Sequence, residues 1–515
     1  MLNPIHLTIV LDRDGEEPIY RQLIRHIRIQ VESGALPPGT RLPASRDLAR
    51  QLNISRISVV NAYAELRAEG FLSAHAGRGT FIAGSGSSNG NGQSAHHHNG
   101  SNGHSSHNGS NGSNNSNSEA PLSDVSIRQM MRMARKPGII TFSHGAPPLE
   151  FFPMQYLRDA INTVLDRDGS RALAYEVPEG FGPLRVAVRD YVSAMGIRCS
   201  ADDILITGGT QQAIDLVIQS LLGEGELLVT ENPTYLGVID IARTRKLQLH
   251  GISMDEEGIR LDQLENFIID NQPRLLYVMP TYQNPTGAVM SLHRRRQLLN
   301  LAAEYKVPIL EDGVYNEFRF EGEALPPLKA LDETGNVIYA SGFTKTLLPG
   351  MRIGYVITNH THYERLLRVK QAADISTSGL TQRTIHMMLE RGVLASQLER
   401  NGRELKRRRD VALAAAARSF PPGTTWNTPH GGLYMWVELP KSGPTAAELY
   451  IAAIQAGVAY AIGNVFYTNG CGSYRLRINY GAQAPADIEE GFKRLGKAWR
   501  ELACDYADLE KSPLL

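Results

Sequence analysis

The sequence has few cysteines, no long apolar run and no net charge. Its three cysteines, Cys199, Cys471 and Cys504, are far apart and lack metal-ligand spacing, which argues against a disulfide or zinc framework and favours a reducing cytoplasm. No apolar run approaches the roughly 18–20 residues that span a membrane, and the first residues lack the pattern of a signal peptide. The 53 basic and 53 acidic residues cancel, so bulk charge alone cannot attract a polyanion. A length of 515 residues predicts about two to four domains.

Charged residues are absent from one internal segment, residues 84–118. Of its 35 residues, 33 are Gly, Ser, Asn or His. Such a segment offers no apolar surface to offset the entropy of ordering, so we predict a disordered linker over 84–120, between domains at 1–83 and 121–515. Five of the 15 histidines lie here. A metal-binding tract is the alternative, but low-complexity composition favours a linker, and we predict no metal site.

The N-terminal segment is basic although the whole chain is neutral. From Arg21 to Arg78 there are nine arginines and four acidic residues, an excess of five positive charges. An amphipathic first helix is predicted after Pro18 and before Gly34, because apolar residues recur there at every fourth position. These residues are Ile19, Leu23, Ile27 and Val31.

Two further helices and a hairpin are predicted after the first helix. Leu48, Ala49 and Leu52 form the apolar face of a short helix, and Asn53 and Ser55 mark the break that follows. The inner face of the next helix is predicted to contain Ile57, Val60, Tyr63, Ala64 and Leu66. Its outward residues near the amino end, the part of a recognition helix that enters the major groove, are Arg56, Ser58 and Asn61. Two short strands joined by Gly77-Arg78-Gly79 predict a wing with an arginine at its tip.

Residues 15–83 resemble the GntR family of bacterial regulators. The resemblance rests on GALPPGTRLPASRDLARQLNISR, followed by AEGFL and GRGTF. It implies a winged helix-turn-helix that binds double-stranded DNA, whereas the pattern alone also fits an ordinary three-helix domain with a solvated basic face. The candidate DNA contacts are Arg46, Arg56, Ser58, Asn61 and Arg78, and the resemblance favours the three arginines.

The remainder of the chain alternates short apolar strands with helical stretches, which is typical of a mostly parallel α/β sheet. The predicted strands lie in DDILITGG, GELLVTENP, RLLYVMP, VPILED and NVIYAS. Ligands of such sheets bind at the carboxyl ends of the strands. Polar and aromatic residues follow several of these ends, in the motifs GGTQQAI, ENPTY, YQNPTG, LEDGVY and SGFTKTLLPGMRIGY. Singly, each motif also fits a turn, a helix cap or a solvated lysine.

Taken in this order, the motifs resemble fold-type I aminotransferases across residues 121–515. The resemblance implies that pyridoxal 5'-phosphate (PLP) is the cofactor, that Lys345 forms a Schiff base with it, and that Asp312 pairs with its ring nitrogen. Burial and nearby cations would keep such a lysine partly neutral, and a carboxylate would keep the ring nitrogen protonated. The other implied cofactor contacts are Gly209, Thr210, Gln211, Tyr235, Asn284, Tyr315, Thr344, Arg352 and Tyr175 of the partner subunit.

Two positions leave the pattern ambiguous. Arg477 matches the family's arginine that binds an α-carboxylate, but Arg475 lies on the same face of the same predicted strand, so periodicity cannot separate them. Relatives carry Ser or Thr three residues before the lysine, where this chain has Gly342. Either Ser341 substitutes for that hydroxyl or the phosphate has one donor fewer.

The order of the domains resembles the MocR (GabR-like) regulators. The resemblance implies a homodimeric, PLP-dependent transcriptional regulator that senses PLP or an amino compound. An active aminotransferase of the 2-aminoadipate or kynurenine type with an appended DNA-binding domain is the alternative, favoured by Asn284 and by HGGLYMWVELP. A purely structural role for PLP is a third interpretation. The sequence names neither the effector nor the operator, and it does not separate an activator from a repressor.

Overall fold

The chain divides into two compact units, Met1–Met130 and Met131–Leu515. The computed structural model describes residues 9, 19–32, 35–52, 54, 56–68, 71–75, 79–83, 134, 136–145 and 147–511. The linker predicted at 84–120 lies outside these residues. The domain boundaries at 83 and 120 therefore stay predictions.

The described part of the first unit contains helices followed by a hairpin. These elements are α1 (Ile19–Glu32), α2 (Ser45–Gln51), α3 (Arg56–Ala68), β1 (Leu72–His75) and β2 (Gly79–Ile82). The strands pair antiparallel, with Leu72 opposite Ile82 and His75 opposite Gly79. Leu23, Ile27 and Leu48 are fully buried in the shared core. Three helices with a two-stranded wing are the predicted winged helix-turn-helix.

The inner face of α3 differs from the predicted one. Among its described side chains, Val59, Ala62, Tyr63 and Leu66 are buried and are spaced as one helical stripe, whereas Val60 is 41% exposed. Tyr63 and Leu66 were predicted to face inward, and the side chains of the other two predicted residues, Ile57 and Ala64, lie outside the described residues. The prediction that Val60 faces inward was therefore wrong by one position. A short apolar-rich helix fits more than one stripe, and contacts with α1 select the one that is buried.

The second unit is built on a large sheet. Its strands, with those of a smaller sheet, are β3 (Ile140–Thr141), β4 (Ile204–Thr207), β5 (Leu227–Asn232), β6 (Gln248–Asp255), β7 (Gly258–Ile259), β8 (Leu275–Val278), β9 (Ile309–Asp312), β10 (Val337–Gly342), β11 (Gly354–Ile357), β12 (Thr425–Trp426), β13 (Tyr434–Glu438), β14 (Val458–Ala459), β15 (Ala461–Ile462) and β16 (Arg475–Asn479). Within the described residues, the large sheet has the order β4-β11-β10-β9-β8-β5-β6-β7. The predicted strands are β4, β5, β8, β9 and β10.

The large sheet is mostly parallel, as predicted. Strands β10, β9, β8, β5 and β6 pair parallel in that order, and β11 is antiparallel to both β10 and β4. Since β4 thus points the same way as β10, the carboxyl ends of β4, β5, β8, β9 and β10 lie at one edge. Residues of β4, β8, β9, β10 and β11 are buried throughout, because helices cover both faces.

Helices surround this sheet and connect its strands. They are α4 (Met154–Asp168), α5 (Gly182–Ser193), α6 (Thr210–Leu221), α7 (Leu236–Thr244), α8 (Leu261–Asn271), α9 (Leu292–Glu304), α10 (Leu328–Leu331), α11 (His360–Asp374), α12 (Gly379–Glu390), α13 (Val393–Ser419), α14 (Ala446–Gln455) and α15 (Pro485–Lys511). Among the residues that the structure describes, no helix is long and apolar enough to cross a membrane.

A smaller antiparallel sheet has the order β12-β13-β16-β15, and β14 pairs with β3. Strands β13 and β16 place Tyr434 opposite Asn479 and Trp436 opposite Arg477. The chain therefore returns, after residue 425, to a second layer that contributes its own polar residues to the site described next.

Candidate functional site

An anion cradle lies where β4 leads into α6. Gly209 caps α6 with φ +98°, and a Cβ there would lie 2.7 Å from a guanidinium nitrogen of Arg352. The hydroxyls of Thr210 and Thr344 are buried and have no hydrogen-bond partner among the described residues. Unsatisfied buried hydroxyls beside a helix amino end and an arginine are the donor set that a phosphate requires. The phosphate of PLP fits this cradle.

The structure shows why position 342 carries glycine. A Cβ on Gly342 would lie 2.8 Å from the Gly354 Cα and 2.8 Å from the Ile353 carbonyl oxygen, both on β11 or next to it. It would also lie 3.0 Å from the Thr210 hydroxyl. Ser341 points elsewhere, because its hydroxyl donates to the Gly313 carbonyl oxygen over 3.3 Å. In this arrangement Ser341 does not replace the missing hydroxyl, and the cradle has one donor fewer.

Gly342→Ala should reduce the free energy of unfolding by about 1–3 kcal/mol, because the added methyl group meets backbone atoms that cannot rotate away. Chemical denaturation of the cofactor-free protein measures this change. Gly350→Ala is the control: Gly350 lies eight residues later, in the 3-10 turn Pro349–Met351, and nothing lies within 4 Å of its added Cβ. The stability of this variant should stay within about 0.5 kcal/mol of that of the unaltered protein. Equal stability of both variants would contradict this prediction and show that β11 moves to accommodate the added methyl group at little cost.

Asp312 ends β9 and is 1% exposed. Its carboxylate accepts hydrogen bonds from the Tyr277 hydroxyl at 2.8 Å and the Val314 backbone N–H at 3.1 Å. Burial raises the pKa of Asp312 to about 6, against these hydrogen bonds and the charge of Lys345. A cationic partner would stabilise the ionised carboxylate, and the protonated ring nitrogen of PLP is a partner of this kind.

Lys345 lies three residues after the end of β10. Its ammonium donates to the Gly145 carbonyl oxygen at 2.5 Å. Burial, together with the charges of Arg477 and Arg352, lowers the pKa of the amine to about 8, while Asp312 opposes them. At pH 7 about a tenth of such amines are neutral, which suits a nucleophile that attacks an aldehyde.

Tyr235 and Tyr315 have defined partners at the same edge. The Tyr235 hydroxyl donates to the Gln211 side chain at 2.9 Å, which ties the start of α7 to the start of α6. The hydroxyl oxygens of Tyr315 and Tyr434 are 2.6 Å apart, and both side chains are buried. Gln211, predicted for its backbone N–H, thus also fixes the orientation of Tyr235.

Arg477 and Asn284 form one polar group. Arg477 is 6% exposed and donates to the Asn284 side-chain oxygen at 2.7 Å and to the Ser143 carbonyl oxygen at 2.8 Å. Its guanidinium has no acidic partner within 4.0 Å among the described residues, and its Nε has no hydrogen-bond partner there. A buried cation without a counter-ion is a strong candidate for binding a ligand carboxylate.

The structure separates Arg475 from Arg477. Arg475 forms a 2.8 Å ion pair with Glu438, and both side chains are 34% exposed. Its charge is already balanced by an acidic group on β13, whereas that of Arg477 is not. Among the two rivals, Arg477 is therefore the carboxylate-binding candidate.

Tyr175 is not brought into this cluster. Its side chain is 87% exposed, after a short 3-10 turn at Gly169–Leu173. An exposed aromatic side chain of this kind cannot contribute to the buried site of its own chain in this conformation. The prediction assigned it to the site of the partner subunit.

The candidate DNA contacts are only partly described. Arg46 is exposed on α2, and Ser58 is half-buried in the first turn of α3. Arg56 and Asn61 belong to α3, but their side chains lie outside the description, as does the whole of Arg78. The position of Arg46 is compatible with a contact to DNA, and the roles of all five residues stay predictions.

Sequence reasoning missed three polar residues of the site. Tyr277 holds Asp312, and Tyr434 contacts both Tyr315 and Arg477. Gln283 donates to the Pro233 carbonyl oxygen and accepts hydrogen bonds from Thr286, which joins the turn before Asn284 to the turn before Tyr235. Polar side chains inside or directly after buried strands were the available signal.

Comparison with known families matches both units. The family of bacterial regulatory proteins named gntR matches residues 19–82, and the aminotransferase class I and II family matches residues 137–495. The uncharacterized HTH-type transcriptional regulator YisV of Bacillus subtilis is 30% identical over 502 residues, 95% of this chain and 98% of its own length. The probable rhizopine catabolism regulatory protein MocR of Rhizobium meliloti is 26% identical over 501 residues, 96% of this chain and 96% of its own length.

The second unit also resembles solved structures. The crystal structure of LysN, an alpha-aminoadipate aminotransferase from Thermus thermophilus complexed with N-(5'-phosphopyridoxyl)-L-leucine, is 34% identical. The match covers 73% of this chain and 95% of that structure's chain, with a TM-score of 0.69.

A GntR-type winged helix-turn-helix and a PLP-dependent aminotransferase domain on one chain define a DNA-binding transcriptional regulator with PLP as its cofactor. The chain belongs to the MocR (GabR-like) subfamily of GntR regulators, which combines these two domains.

Proposed function

We propose that the aminotransferase-like domain binds an amino compound that carries a carboxylate, and that its binding changes how the protein engages DNA. One observation carries the choice of ligand. Arg477 is buried beside Lys345, lowers the pKa of that amine, and has no acidic partner within the described residues. A ligand carboxylate would balance this charge, and a ligand amine would meet the cofactor next to Lys345.

The site residues divide into three groups around the cofactor. PLP, when bound, supplies an aldehyde that condenses with amines and a ring that withdraws electrons. Lys345 would hold the aldehyde carbon, and Asp312 would hold the ring nitrogen in its protonated form. The remaining contacts serve the ring or the phosphate. They are Tyr235, Asn284 and Tyr315 for the ring, and Gly209, Thr210, Gln211, Thr344 and Arg352 for the phosphate.

The proposed assembly is a homodimer in which Tyr175 of the partner subunit completes the phosphate site. Leu173, Tyr175 and Val177 are 69%, 87% and 51% exposed, a concentration of apolar surface that favours a protein interface. Sedimentation velocity should give the mass of a dimer, and Tyr175→Ala should lower the affinity for PLP. A monomer that binds PLP with full affinity would contradict the dimeric site.

The regulator requires two states with unequal affinity for the ligand, because a ligand that binds both states equally does not change their relative populations. The DNA-binding domain supplies the readout, with Arg46, Arg56, Ser58, Asn61 and Arg78 as the proposed contacts. Arg56→Ala should weaken operator binding and leave the absorbance of bound PLP unchanged. A cytoplasmic location is part of the same proposal, since it gives access to DNA and fits the sparse cysteines.

Transaminase turnover is the second candidate function. It is favoured by the joint presence of Lys345, Asp312 and Asn284 in one cluster, because Lys345 could move a proton to or from the ligand carbon there, as amino-group transfer requires. The two functions differ in what happens after the ligand amine reaches the cofactor. A sensor retains the ligand, whereas an aminotransferase releases a 2-oxo acid.

Mixing the purified protein with PLP, a panel of amino donors and 2-oxoglutarate separates the two functions. Formation of glutamate over many turnovers would establish the enzyme. A change in the cofactor spectrum without glutamate would support the sensor, and no change with any donor would contradict both.

A further inference from the structure

Tyr434 is a buried residue that none of the roles above employs. It begins β13, lies opposite Asn479 of β16, and is 1% exposed. Its side chain lies against Tyr315, Arg477 and the backbone of Gly145. These contacts determine what its hydroxyl can do.

The first contact joins two phenols. The hydroxyl oxygens of Tyr434 and Tyr315 are 2.6 Å apart, and either one can be the donor. The two rings meet edge to face, with centroids 5.6 Å apart and planes at 85°. Since a hydroxyl has one hydrogen and two lone pairs, Tyr315 can donate to another oxygen and still accept from Tyr434.

The second contact fixes the Tyr434 ring. The guanidinium carbon of Arg477 lies 4.2 Å from the centroid of this ring and 4.8 Å from that of Phe466. Cations close to aromatic faces are attracted to them. The ring of Tyr434 therefore keeps its position together with Arg477.

The third contact is with the backbone of Gly145, on the other side of the Tyr434 hydroxyl. A Cβ on Gly145 would lie 2.9 Å from the Tyr434 hydroxyl oxygen, so the backbone of Gly145 passes directly beside it. The carbonyl oxygen of the same residue accepts a hydrogen bond from the ammonium of Lys345. The Tyr434 hydroxyl is thus enclosed between Tyr315 and Gly145.

We propose that Tyr434 is a positioning residue, whose hydroxyl donates to the Tyr315 oxygen and so directs the Tyr315 hydrogen toward the 3-oxygen of the bound cofactor. The inference rests on the proposed PLP site and goes beyond it by adding a second phenol to the hydrogen-bond chain. Each bond in such a chain polarises the next, so Tyr315 becomes a stronger donor. A stronger donor would withdraw negative charge from the phenolic 3-oxygen of PLP. The proton on the nearby Lys345 nitrogen would then be held less tightly.

Tyr434→Phe tests this role, because it removes the hydroxyl and keeps the ring beside Arg477. The visible absorbance of the PLP-loaded protein is titrated between about pH 5 and pH 10. The midpoint should rise by about 0.5–1 pH unit, the equivalent of one lost hydrogen bond. Tyr460→Phe is the matched control, since Tyr460 is equally buried and its hydroxyl donates to the Ala446 carbonyl oxygen. Its midpoint should equal that of the unaltered protein.

A double-mutant comparison tests whether the effect of Tyr434 depends on the Tyr315 hydroxyl. In a Tyr315→Phe background, Tyr434→Phe should add no further shift, because the chain through Tyr315 is already broken. An unchanged midpoint in Tyr434→Phe, or an equal shift in both backgrounds, would overturn the positioning role. If the unaltered protein shows no visible band with PLP, the proposed cofactor site fails, and the role of Tyr434 fails with it.

Discussion

Lys345→Ala should abolish the visible absorbance band that PLP produces with the protein. The amine of Lys345 is the proposed nucleophile of the site, and burial together with the charges of Arg477 and Arg352 lowers its pKa to about 8. Without it, PLP can be held only by its phosphate and ring contacts, and dialysis should remove it. The absorbance spectrum after dialysis measures the loss, and borohydride reduction followed by mass spectrometry locates the attachment.

The control for this change is a second lysine with a lowered pKa. Burial also lowers the pKa of Lys329, but its ammonium donates to the Val337 carbonyl oxygen and lies near Asp332. Lys329→Ala should keep the band, and both variants, measured without PLP, should keep the affinity of the unaltered protein for DNA. A band that persists in Lys345→Ala would refute the assignment of this lysine.

Arg477→Ala should weaken the binding of a carboxylate ligand by about 30- to 5,000-fold, which corresponds to about 2–5 kcal/mol for one partner of a buried charge pair. Bound PLP should stay in place, because the proposed phosphate contacts, Thr210 and Arg352, are unchanged. A spectral titration of the PLP-loaded variant with amino acids measures the affinity. The same titration with the amine analogues that lack the carboxylate should show little difference from the unaltered protein.

Arg475→Ala is the matched control for that change, since Arg475 lies two residues away on β16 and pairs with Glu438. Its effect on ligand affinity should stay below about fivefold, the range of partly exposed ion pairs. If Arg475→Ala weakened the ligand more than Arg477→Ala, the two roles would have to be exchanged.

The pattern of apolar strands predicted the mostly parallel sheet, and the resemblance to fold-type I aminotransferases supplied most residues of the candidate cluster. Thr210 and Asp312 follow or end buried strands, and the carboxyl ends of parallel strands meet at one edge. Once β4 and β9 are assigned to one sheet with parallel directions, both residues must lie at the same edge of that sheet. The DNA-binding unit was predictable for the same reason, except for the face of α3 that Val60 occupies.

The remainder depended on contacts between distant parts of the chain. Tyr434 lies 119 residues from Tyr315, and Lys345 lies 200 residues from the Gly145 carbonyl that it contacts. Arg477 differs from Arg475, two residues before it on β16, because Arg477 is buried and because an acid on β13 neutralises Arg475. The periodicity of apolar residues along the chain cannot predict such contacts, because they form only when the two sheets come together.

The requirement for glycine at position 342 also depends on a contact with another part of the chain. It follows from the close approach of Gly354 on the adjacent strand, which the sequence of β10 alone does not contain. From the sequence, Ser341 was an equal candidate for the missing hydroxyl. Its bond to Gly313 in the structure directs it away from Thr210.

We propose that occupancy of the PLP site changes DNA binding. The most direct measurement is the affinity of the full-length protein for the DNA upstream of its own gene and its neighbours. Fluorescence anisotropy would record it without PLP, with PLP, and with PLP plus each of a panel of α- and γ-amino acids. We predict that at least one of these conditions changes the dissociation constant by about 5- to 150-fold, and that Lys345→Ala removes the change. The same dissociation constant in every condition, with the PLP band present, would contradict the proposed coupling between the PLP site and DNA binding.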